Sequence, residues 1–528
     1  MFQTRERGVV NIAIVHYHLN RGGVTHVVLN HLRALHTIPD HHLPDVALLL
    51  HGGRREGFPD DLPERLPRIK IREVVIPELD YDEGMPAKPE PRILADRIES
   101  SIRESGCRKD DTLLHVHNHA LGKNVCLPGA VAELAERRFS VLLQIHDFAE
   151  DFRPANYRRL QQALVPNEPT RLSDLLYPQA QQIHYAVLNR RDWSVLREAG
   201  VDLGRLHVLP NPVPPPDHLP DHSAARRRIA ERLGIGSNHR YVLYPVRGIR
   251  RKNLGEALLW AATASPETAI GFTLPPLNPI EQPRYALWRG LASELRLPCY
   301  FEVGGESGLS LADNLAACDR VLTTSLAEGF GLVFLESCLS RRPLIGRDLP
   351  EITIDFVQRG LTFTGLQSRV DVPVEWFGRE ELLDMVARSY NATLESYGRA
   401  PLSRIALDEG LERKLREGCI DFGELNAELQ ERVIRKVCGD TEGMETLMTI
   451  NPYLRAATAS RDAEYSVEAA RNAAVVASQY SLDASANQLT DIYQRVMASP
   501  RGPLSALHAG ERLLDAFLCL PRFRPVRL

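Results

Sequence analysis

Residues 326–346, LAEGFGLVFLESCLSRRPLIG, carry the clearest pattern in this sequence for predicting the fold. A β-branched, apolar run at residues 320–325 precedes this stretch and predicts a buried strand. Two glycines, Gly329 and Gly331, then predict a turn. From Leu332 onward, leucines recur at helical spacing, and Pro343–Gly346 is short and apolar. The stretch therefore predicts a loop, a helix beginning at about Leu332 and a second strand.

The start of this predicted helix is suited to binding an anion. Its first N–H groups have no partner within the helix, and the positive end of the helix dipole points toward the loop. Glu328 precedes the turn, and Glu336 follows about one turn into the helix. Backbone N–H groups could bind a phosphate while the carboxylates accept hydrogen bonds from sugar hydroxyls. The alternative interpretation is a glycine-rich turn flanked by two solvated acids.

The motif EGFGLVFLE, placed between a strand and a helix, resembles the signature of GT-B glycosyltransferases, particularly the retaining family-four enzymes that use nucleotide sugars. The resemblance implies that Glu328 holds hydroxyls of the donor sugar and that Glu336 binds the ribose. It implies that the backbone between them approaches the sugar and the diphosphate, which assigns donor binding to Gly329, Phe330, Gly331 and Leu332.

A basic loop, VRGIRRKN at residues 246–253, follows a predicted strand and precedes a helix. In the family, a strand is followed by Gly-Arg, with a lysine five residues after the arginine, and both side chains neutralise the donor diphosphate. Arg247 and Lys252 match that spacing. Val246 and Asn253 stand where the family usually has glycine, which affects the expected loop shape more than its charge. The alternative is a solvated basic loop.

The N-terminal part begins with an apolar strand at Val9–Val15, the glycine pair Gly22 and Gly23, and a helix from Val24. Family-four enzymes carry such a glycine pair in their first loop, facing the acceptor and the donor phosphates. The resemblance therefore adds Gly22 and Gly23 to the donor site. The alternative is a tight turn without function.

A further strand, Ser140–Ile145, ends in His146 and Asp147. In the family, a histidine at this strand end lies beside the donor sugar, so the resemblance makes His146 a catalytic candidate together with Glu328, Arg247 and Lys252. An imidazole there can form a hydrogen bond with a sugar hydroxyl. The alternative is a histidine that only satisfies its own hydrogen bonds.

Two other polar patterns raise the question of a metal site. His115, His117 and His119 alternate, so on an extended strand they would share one face. Because no carboxylate lies among them, placement at a strand end beside a ligand cleft, or on a polar rim, is favoured over metal binding. The DxD motif, residues 80–82, falls in an acidic loop of the first domain and is predicted to be solvated. No metal ligand is therefore predicted.

The alternation of strands and helices predicts an α/β protein, and the resemblance specifies a GT-B fold, with two Rossmann-like domains facing across a cleft. A proline-rich linker at residues 214–220 separates them. The predicted boundaries are 1–213 for the acceptor-side domain, 221–372 for the nucleotide-sugar domain, 373–479 for a helical insertion, 480–499 for a crossover helix and 500–528 for an unassigned tail. Acceptor specificity and homo-oligomerisation both stay open as roles of the insertion.

Composition excludes several function classes. The net charge of −4 in 528 residues gives no reason to expect binding to nucleic acid or to an anionic membrane. The eight cysteines are scattered without a CxxC pair, which is typical of reduced thiols in the cytoplasm. No signal peptide or transmembrane segment is predicted, because no apolar run is long enough.

The predicted function is retaining transfer of a hexose from a donor such as UDP- or GDP-hexose to a small-molecule or glycan acceptor, without metal or other cofactor. A GT-B sugar phosphorylase or nucleotide-sugar epimerase is one alternative. A non-catalytic protein that binds sugar nucleotides, or a scaffold, is another. The sequence does not identify the base, the sugar or the acceptor.

Overall fold

A computed structural model describes residues 11–83, 90–168, 171–216, 218–236, 238–305, 308–454 and 462–527. The chain divides into two compact units. The first contains residues 1–214 and 480–519, and the second contains residues 215–479 and 520–528. The predicted strand residues Val9 and Val10 lie outside the described residues.

The first unit is built on a parallel sheet of seven strands in the order β3-β2-β1-β4-β5-β6-β7. The strands are β1 Asn11–Val15, β2 Val46–His51, β3 Lys70–Val75, β4 Thr112–His117, β5 Ser140–Ile145, β6 Ile183–Val187 and β7 Leu206–Val208. The central strands β1, β4, β5 and β6 are buried along their whole length, which explains their continuous apolar sequences. The hydrophobic pattern does not predict β3, KIREVV, because this edge strand is largely exposed and charged.

Helices cover this sheet. They are Gly23–Thr37, Leu62–Arg65, Pro91–Glu104, Leu127–Glu136, Pro154–Leu164, Leu172–Leu176, Arg190–Glu198, Leu482–Ala498 and Glu511–Leu518. The helix Leu482–Ala498 contributes Leu489, Ile492 and Val496 to the same buried core as Val28 and Leu32 of the first helix. Residues near the C-terminus, which the sequence left unassigned, also pack here: the ring of Phe517 lies 4.8 Å from that of Phe148.

The second unit has a parallel sheet of six strands in the order β10-β9-β8-β11-β12-β13. The strands are β8 Arg240–Arg247, β9 Thr268–Leu274, β10 Cys299–Phe301, β11 Arg320–Thr323, β12 Leu344–Arg347 and β13 Leu366–Gln367. The helices between them are His222–Leu233, Leu254–Ala262, Gln282–Glu294, Leu311–Ala317, Leu332–Leu339 and Pro350–Gln358. The strand, turn and helix predicted around EGFGLVFLE are confirmed by β11 and the helix that begins at Leu332.

Residues beyond β13 are mostly helical, as predicted, with helices Arg379–Ser396, Arg404–Glu412, Ala427–Gly439, Thr441–Ile450 and Asp462–Gln479. They also contain an antiparallel strand pair, β14 Asp371–Pro373 and β15 Cys419–Asp421. A buried arginine fastens this region to the sheet of the second unit: Arg347 of β12 donates to Glu256 at 2.6 Å and to Asp421 of β15 at 2.8 Å. The region is therefore an integral part of the second unit.

Two findings concern the environment of the chain. Within the described ranges, no helix combines the length and the apolar character needed to cross a bilayer. All eight cysteines fall in those ranges and are free thiols: five are buried, Cys299 and Cys519 are half-buried, and Cys438 is exposed.

Candidate functional site

The turn before the helix Leu332–Leu339 requires a glycine. Gly331 caps this helix with a φ of +87°, a backbone region that side chains other than glycine rarely adopt. A Cβ atom at Gly331 would also lie 2.7 Å from Cδ2 of Phe334. Gly331 is therefore needed for the local geometry, whatever binds to the helix start.

Lys252 and Glu328, both predicted from the sequence as site residues, form an ion pair. They follow β8 and β11, which are neighbours in the sheet, so both side chains lie at the carboxyl edge of the strands. Arg251 also contacts Glu328, with 3.3 Å between Nη1 and Oε2. Arg251 was not predicted, although its position inside the basic run RRK could have suggested it.

Burial and neighbouring charges together shift the pKa values of Lys252, Glu328 and Glu336. Burial alone would raise the pKa of Glu328, but Lys252 and Arg251 outweigh it and hold that pKa below its ordinary value. Burial lowers the pKa of Lys252 in spite of the carboxylate beside it. Burial raises the pKa of Glu336, against the opposing charge of Lys252. Glu336 therefore lies within electrostatic range of the same lysine.

The two loops that carry Lys252 and Glu328 are fastened to each other. The carbonyl oxygen of Lys252 accepts hydrogen bonds from the Tyr244 hydroxyl at 2.7 Å and from the Thr324 hydroxyl at 3.0 Å. The amide of Leu326 donates to the carbonyl oxygen of Arg251 at 2.9 Å. These bonds fix the backbone beneath the ion pair, so the two charges are held in place before any ligand arrives.

Asn253, where the family usually has glycine, adopts a left-handed conformation with φ of +50°. Asparagine tolerates this conformation better than most residues, so the departure from glycine preserves the turn. Its side chain donates to Glu256 at 2.8 Å and accepts from Gln430 at 2.9 Å. Gln430 therefore supports the Lys252 loop, and no local pattern could have revealed it because it lies 177 residues away in sequence.

The remaining predicted residues of the second unit occupy different positions. Arg247 ends β8, and its Nη1 donates to the carbonyl oxygen of Pro275 at 3.0 Å. Among the described residues, no ion pair or hydrogen bond joins Arg247 to Glu328. The ring of Phe330 packs edge-on against Phe356, with centroids 5.8 Å apart. The structure thus brings together Lys252, Glu328 and Glu336, but not Arg247.

The predicted site residues of the first unit lie at the ends of its strands. Gly22 caps the helix Gly23–Thr37 in extended conformation. Apart from its chain neighbours and the backbone of its own helix, no described atom lies within 4 Å of a Cβ placed on Gly23. His146 follows β5 and is 7% exposed. Its Nε2 lies 2.9 Å from Nδ1 of His117, and its backbone N–H donates to the side chain of Asn118. Burial lowers the pKa of His146 to about 4, so its imidazole is neutral at pH 7.

No family model matches the sequence. Among characterised proteins, the chain is similar to mannosylglucosyl-3-phosphoglycerate synthase of Petrotoga mobilis, with 24% identity over 450 residues that cover 84% of this chain and 83% of the relative. Among solved structures, HepE of Anabaena in complex with UDP-glucose matches with a TM-score of 0.51 and 14% identity, over 91% of this chain and 98% of that one. Sucrose-phosphate synthase of Thermosynechococcus elongatus matches with a TM-score of 0.51 and 14% identity, over 92% and 99%.

The chain has a GT-B fold. The fold class predicted from EGFGLVFLE and from the alternation of strands and helices is thereby confirmed. In this GT-B chain, Gly22, Gly23 and His146 follow strands of the seven-stranded sheet. Lys252 and Glu328 follow strands of the six-stranded sheet.

Two predictions about polar residues of the GT-B chain are wrong. His115 and His117 do share a face of β4, but His119 lies beyond the strand and its Nε2 contacts the carbonyl oxygen of Leu176 at 2.7 Å. All three side chains are fully buried, so none belongs to a polar rim. Asp82 is not solvated either: it is 2% exposed and pairs with Arg159, because the loop that carries it folds back against the protein.

The glycine pair of the GT-B chain yields a prediction. Gly23→Ala should leave the thermal midpoint unchanged or raise it, because the methyl group meets no atom and alanine favours a helix over glycine by up to about 1 kcal/mol. If a substrate approaches this turn, the same methyl group should lower turnover at least tenfold. Gly439→Ala is the control, since Gly439 also lies in a helix with open space around it. Equal turnover of both variants would remove Gly23 from the site.

Proposed function

We propose that this protein is a retaining glycosyltransferase that moves a hexose from a nucleotide-diphosphate sugar, such as UDP- or GDP-hexose, to an acceptor hydroxyl. The observation that carries the proposal is the buried pair of Lys252 and Glu328 beside the glycine-capped helix start at Gly331. A cation, a carboxylate and the backbone of a helix start meet at one strand edge. That donor and acceptor set suits a diphosphate attached to a sugar.

In the proposed reaction, negative charge develops on the diphosphate as the glycosidic bond breaks. Lys252, Arg251 and the N–H groups at the helix start act on that charge electrostatically. Arg247 is proposed to reach the same phosphate after leaving its contact with Pro275. When donor binds, the Lys252–Glu328 ion pair opens, so that the ammonium meets the phosphate and the carboxylate accepts from a sugar hydroxyl. Glu336 is proposed to accept from the ribose.

The anomeric configuration of the sugar is retained if the leaving phosphate takes the proton of the acceptor hydroxyl on the same face of the sugar. This route needs no pair of catalytic carboxylates of the hydrolase type. The neutral imidazole of His146 is proposed to hold a hydroxyl of the donor sugar. The reaction as proposed uses no metal and no cofactor.

We also propose that the protein is cytoplasmic, because free thiols are typical of that compartment.

For the acceptor, the relative from Petrotoga mobilis indicates which compounds to test first. That protein is named for a product built on 3-phosphoglycerate, and the similarity covers most of both chains. We therefore propose that the acceptor is a small molecule and that glycosides of 3-phosphoglycerate are the first candidates. Glycan acceptors form the second group.

The experiment that tests the proposal is incubation of the protein with a panel of UDP- and GDP-hexoses, with release of the nucleotide as the readout. We expect slow release with one donor and at least a tenfold increase when a suitable acceptor is added. The anomeric configuration of the product, read by NMR, should match that of the donor. Binding of donors without any nucleotide release across the acceptor panel would favour the non-catalytic alternative.

A phosphorylase is distinguished by a separate reaction. Such an enzyme would form sugar 1-phosphate from a disaccharide and inorganic phosphate, without any nucleotide. We expect no sugar 1-phosphate under these conditions. An epimerase would convert the nucleotide sugar without releasing the nucleotide, which the same NMR measurement detects.

A further inference from the structure

Three buried histidines of the first unit form a cluster that the proposed function does not use. This imidazole triad consists of His31 from the helix Gly23–Thr37 and of His115 and His117 from β4. Each side chain is completely buried. The rings of His115 and His117 stack with their centroids 4.3 Å apart, and the ring of His31 lies 5.7 Å from that of His115.

Several nitrogen atoms in this cluster have no hydrogen-bond partner. Neither ring nitrogen of His31 has one among the described residues, and the same is true of Nε2 of His117. A buried polar atom without a partner destabilises the fold, because its hydrogen bonds to water are lost and not replaced. Three such atoms on two adjacent histidines therefore call for a bound group inside the cluster, which can pair with one nitrogen of each ring.

The nitrogen atoms are close enough to share one ion. Each member of the triad offers one nitrogen, and these three atoms lie within 4.8 Å of one another. Two nitrogens bound to one tetrahedral zinc ion lie about 3.4 Å apart, since each Zn–N bond is about 2.0–2.1 Å. Within the described part of the chain the imidazole of His31 has no hydrogen-bond partner, so no such bond opposes its movement toward the other two rings.

The chemistry of the triad selects the kind of ion. Three imidazoles without a carboxylate favour zinc, cobalt, nickel or copper over magnesium and calcium, which prefer oxygen ligands. Imidazole binds metal in its neutral form, and burial keeps these side chains neutral by lowering the pKa of His115 to about 3 and the pKa values of His31 and His117 well below the ordinary value.

We propose that His31, His115 and His117 bind one divalent transition-metal ion, with zinc as the first candidate, inside the first unit. The triad contains none of the residues, such as Lys252 and Arg251, that are proposed to bind the donor phosphates. The proposal thus goes beyond the proposed transferase, in which no step of the sugar transfer takes place on a metal.

One contact competes with the metal. Nε2 of His115 donates to the carbonyl oxygen of the Gln144 side chain at 2.9 Å, so Nδ1 is the bare nitrogen, and it lies 2.9 Å from the Tyr493 hydroxyl. Coordination through Nδ1 requires this hydroxyl to turn away. Removal of the hydroxyl should therefore strengthen metal binding, whereas removal of a ligand should weaken it.

The proposed site also reaches His146. Coordination through Nε2 of His117 leaves the proton on Nδ1, which then donates to Nε2 of His146 at 2.9 Å. This contact fixes the tautomer of His146, with its own proton on Nδ1. The metal would thereby act as a positioning element for a residue whose role in sugar binding rests on the proposed function.

The test uses the full chain without a histidine tag and with Cys438→Ser, which removes the exposed thiol. The protein is depleted of metal, loaded with zinc or cobalt, and passed through a desalting column, and the metal per chain is measured by mass spectrometry. We expect about one ion per chain, with the visible absorption of tetrahedral cobalt. His31→Ala should reduce the retained metal at least tenfold.

Two further variants act as controls. His119→Asn removes a buried histidine outside the triad and should leave the retained metal unchanged. Tyr493→Phe should retain metal at least as well as the parent protein. Far- and near-UV circular dichroism checks that each variant is folded. If His31→Ala does not fold, X-ray absorption of the cobalt-loaded parent protein provides the test, with a first shell containing three imidazoles as the expected result.

Loss of all metal from the parent protein on desalting would overturn the proposal, as would equal retention by the parent and His31→Ala. The first result would mean that the triad holds no metal, and the second that the retained metal is bound outside the triad. Nucleotide release by the metal-depleted protein is measured in parallel, so that failure of this proposal is distinguished from failure of the proposed transferase.

Discussion

Lys252→Met and Glu328→Gln are each expected to lower turnover of the nucleotide sugar at least a hundredfold. Both changes remove a charge while keeping the size of the side chain. Loss of one group that stabilises developing charge typically costs about 10²–10³ in turnover. Lys252 supplies that charge for the leaving diphosphate, and Glu328 holds the sugar hydroxyls. The measurement is kcat with the donor found in the panel, together with the thermal midpoint of each variant.

The matched controls for these variants are Arg435→Met and Glu294→Gln. Arg435 and Glu294 also form an ion pair in the second unit, but their side chains are 39% and 57% exposed. Exposed pairs contribute little to stability, and this pair lies on the helices Ala427–Gly439 and Gln282–Glu294. Both controls should keep wild-type turnover. Turnover of Lys252→Met or Glu328→Gln within threefold of wild type would contradict the assignment of the donor site.

Among the substitutions proposed in this protein, Arg347→Met should cause the largest decrease in the free energy of unfolding. Arg347, Glu256 and Asp421 form a buried triad in which the side chains are 3%, 0% and 5% exposed. Removal of the arginine leaves two carboxyl groups buried without a cation. Breaking a buried ion pair in this way costs about 3–5 kcal/mol. Urea denaturation, followed by circular dichroism, measures the free energy of unfolding.

The loss of stability caused by Arg347→Met should depend on pH. In the native protein burial would raise the pKa of Asp421, but Arg347 outweighs burial and holds that pKa below its ordinary value. Asp421 therefore stabilises the native fold at pH values above the unfolded pKa. Burial already raises the pKa of Glu256 to about 7 in the native protein, although Arg347 opposes this shift. Without Arg347, burial raises the pKa of both carboxyl groups further, so their protonation at lower pH relieves the cost. The loss of stability should be larger at pH 8 than at pH 5.5.

Arg404→Met is the control for Arg347→Met. Arg404 also bridges two carboxylates, those of Glu380 and Asp384, but its side chain is 52% exposed. Water can solvate both acids after the change, so the urea midpoint should remain that of the wild type. An equal loss of stability in the two variants would show that burial is not the source of the effect.

Much of this protein follows from local sequence patterns. The helix start at Leu332 is predicted because two glycines precede it and the leucines after it recur at helical spacing. The structure confirms it and shows that Gly331 adopts a positive φ. The buried strands are predicted because parallel strands covered on both faces are continuously apolar. The proximity of Lys252 and Glu328 is predicted by the resemblance, and it is produced in the structure by the adjacency of β8 and β11.

Other features were decided only by the tertiary structure. The sequence pattern groups His119 with His115 and His117 because they alternate along the chain. In the structure, the third member of the cluster is His31 from the helix Gly23–Thr37 and not His119. Gln430 supports Asn253 across 177 residues, and Arg347 joins β12 to β15. Such contacts depend on how elements distant in sequence pack together, and hydrophobic periodicity describes each element only by itself. The sequence alone therefore determined the strands, the helix start and the charged loops, while packing decided which buried polar groups meet.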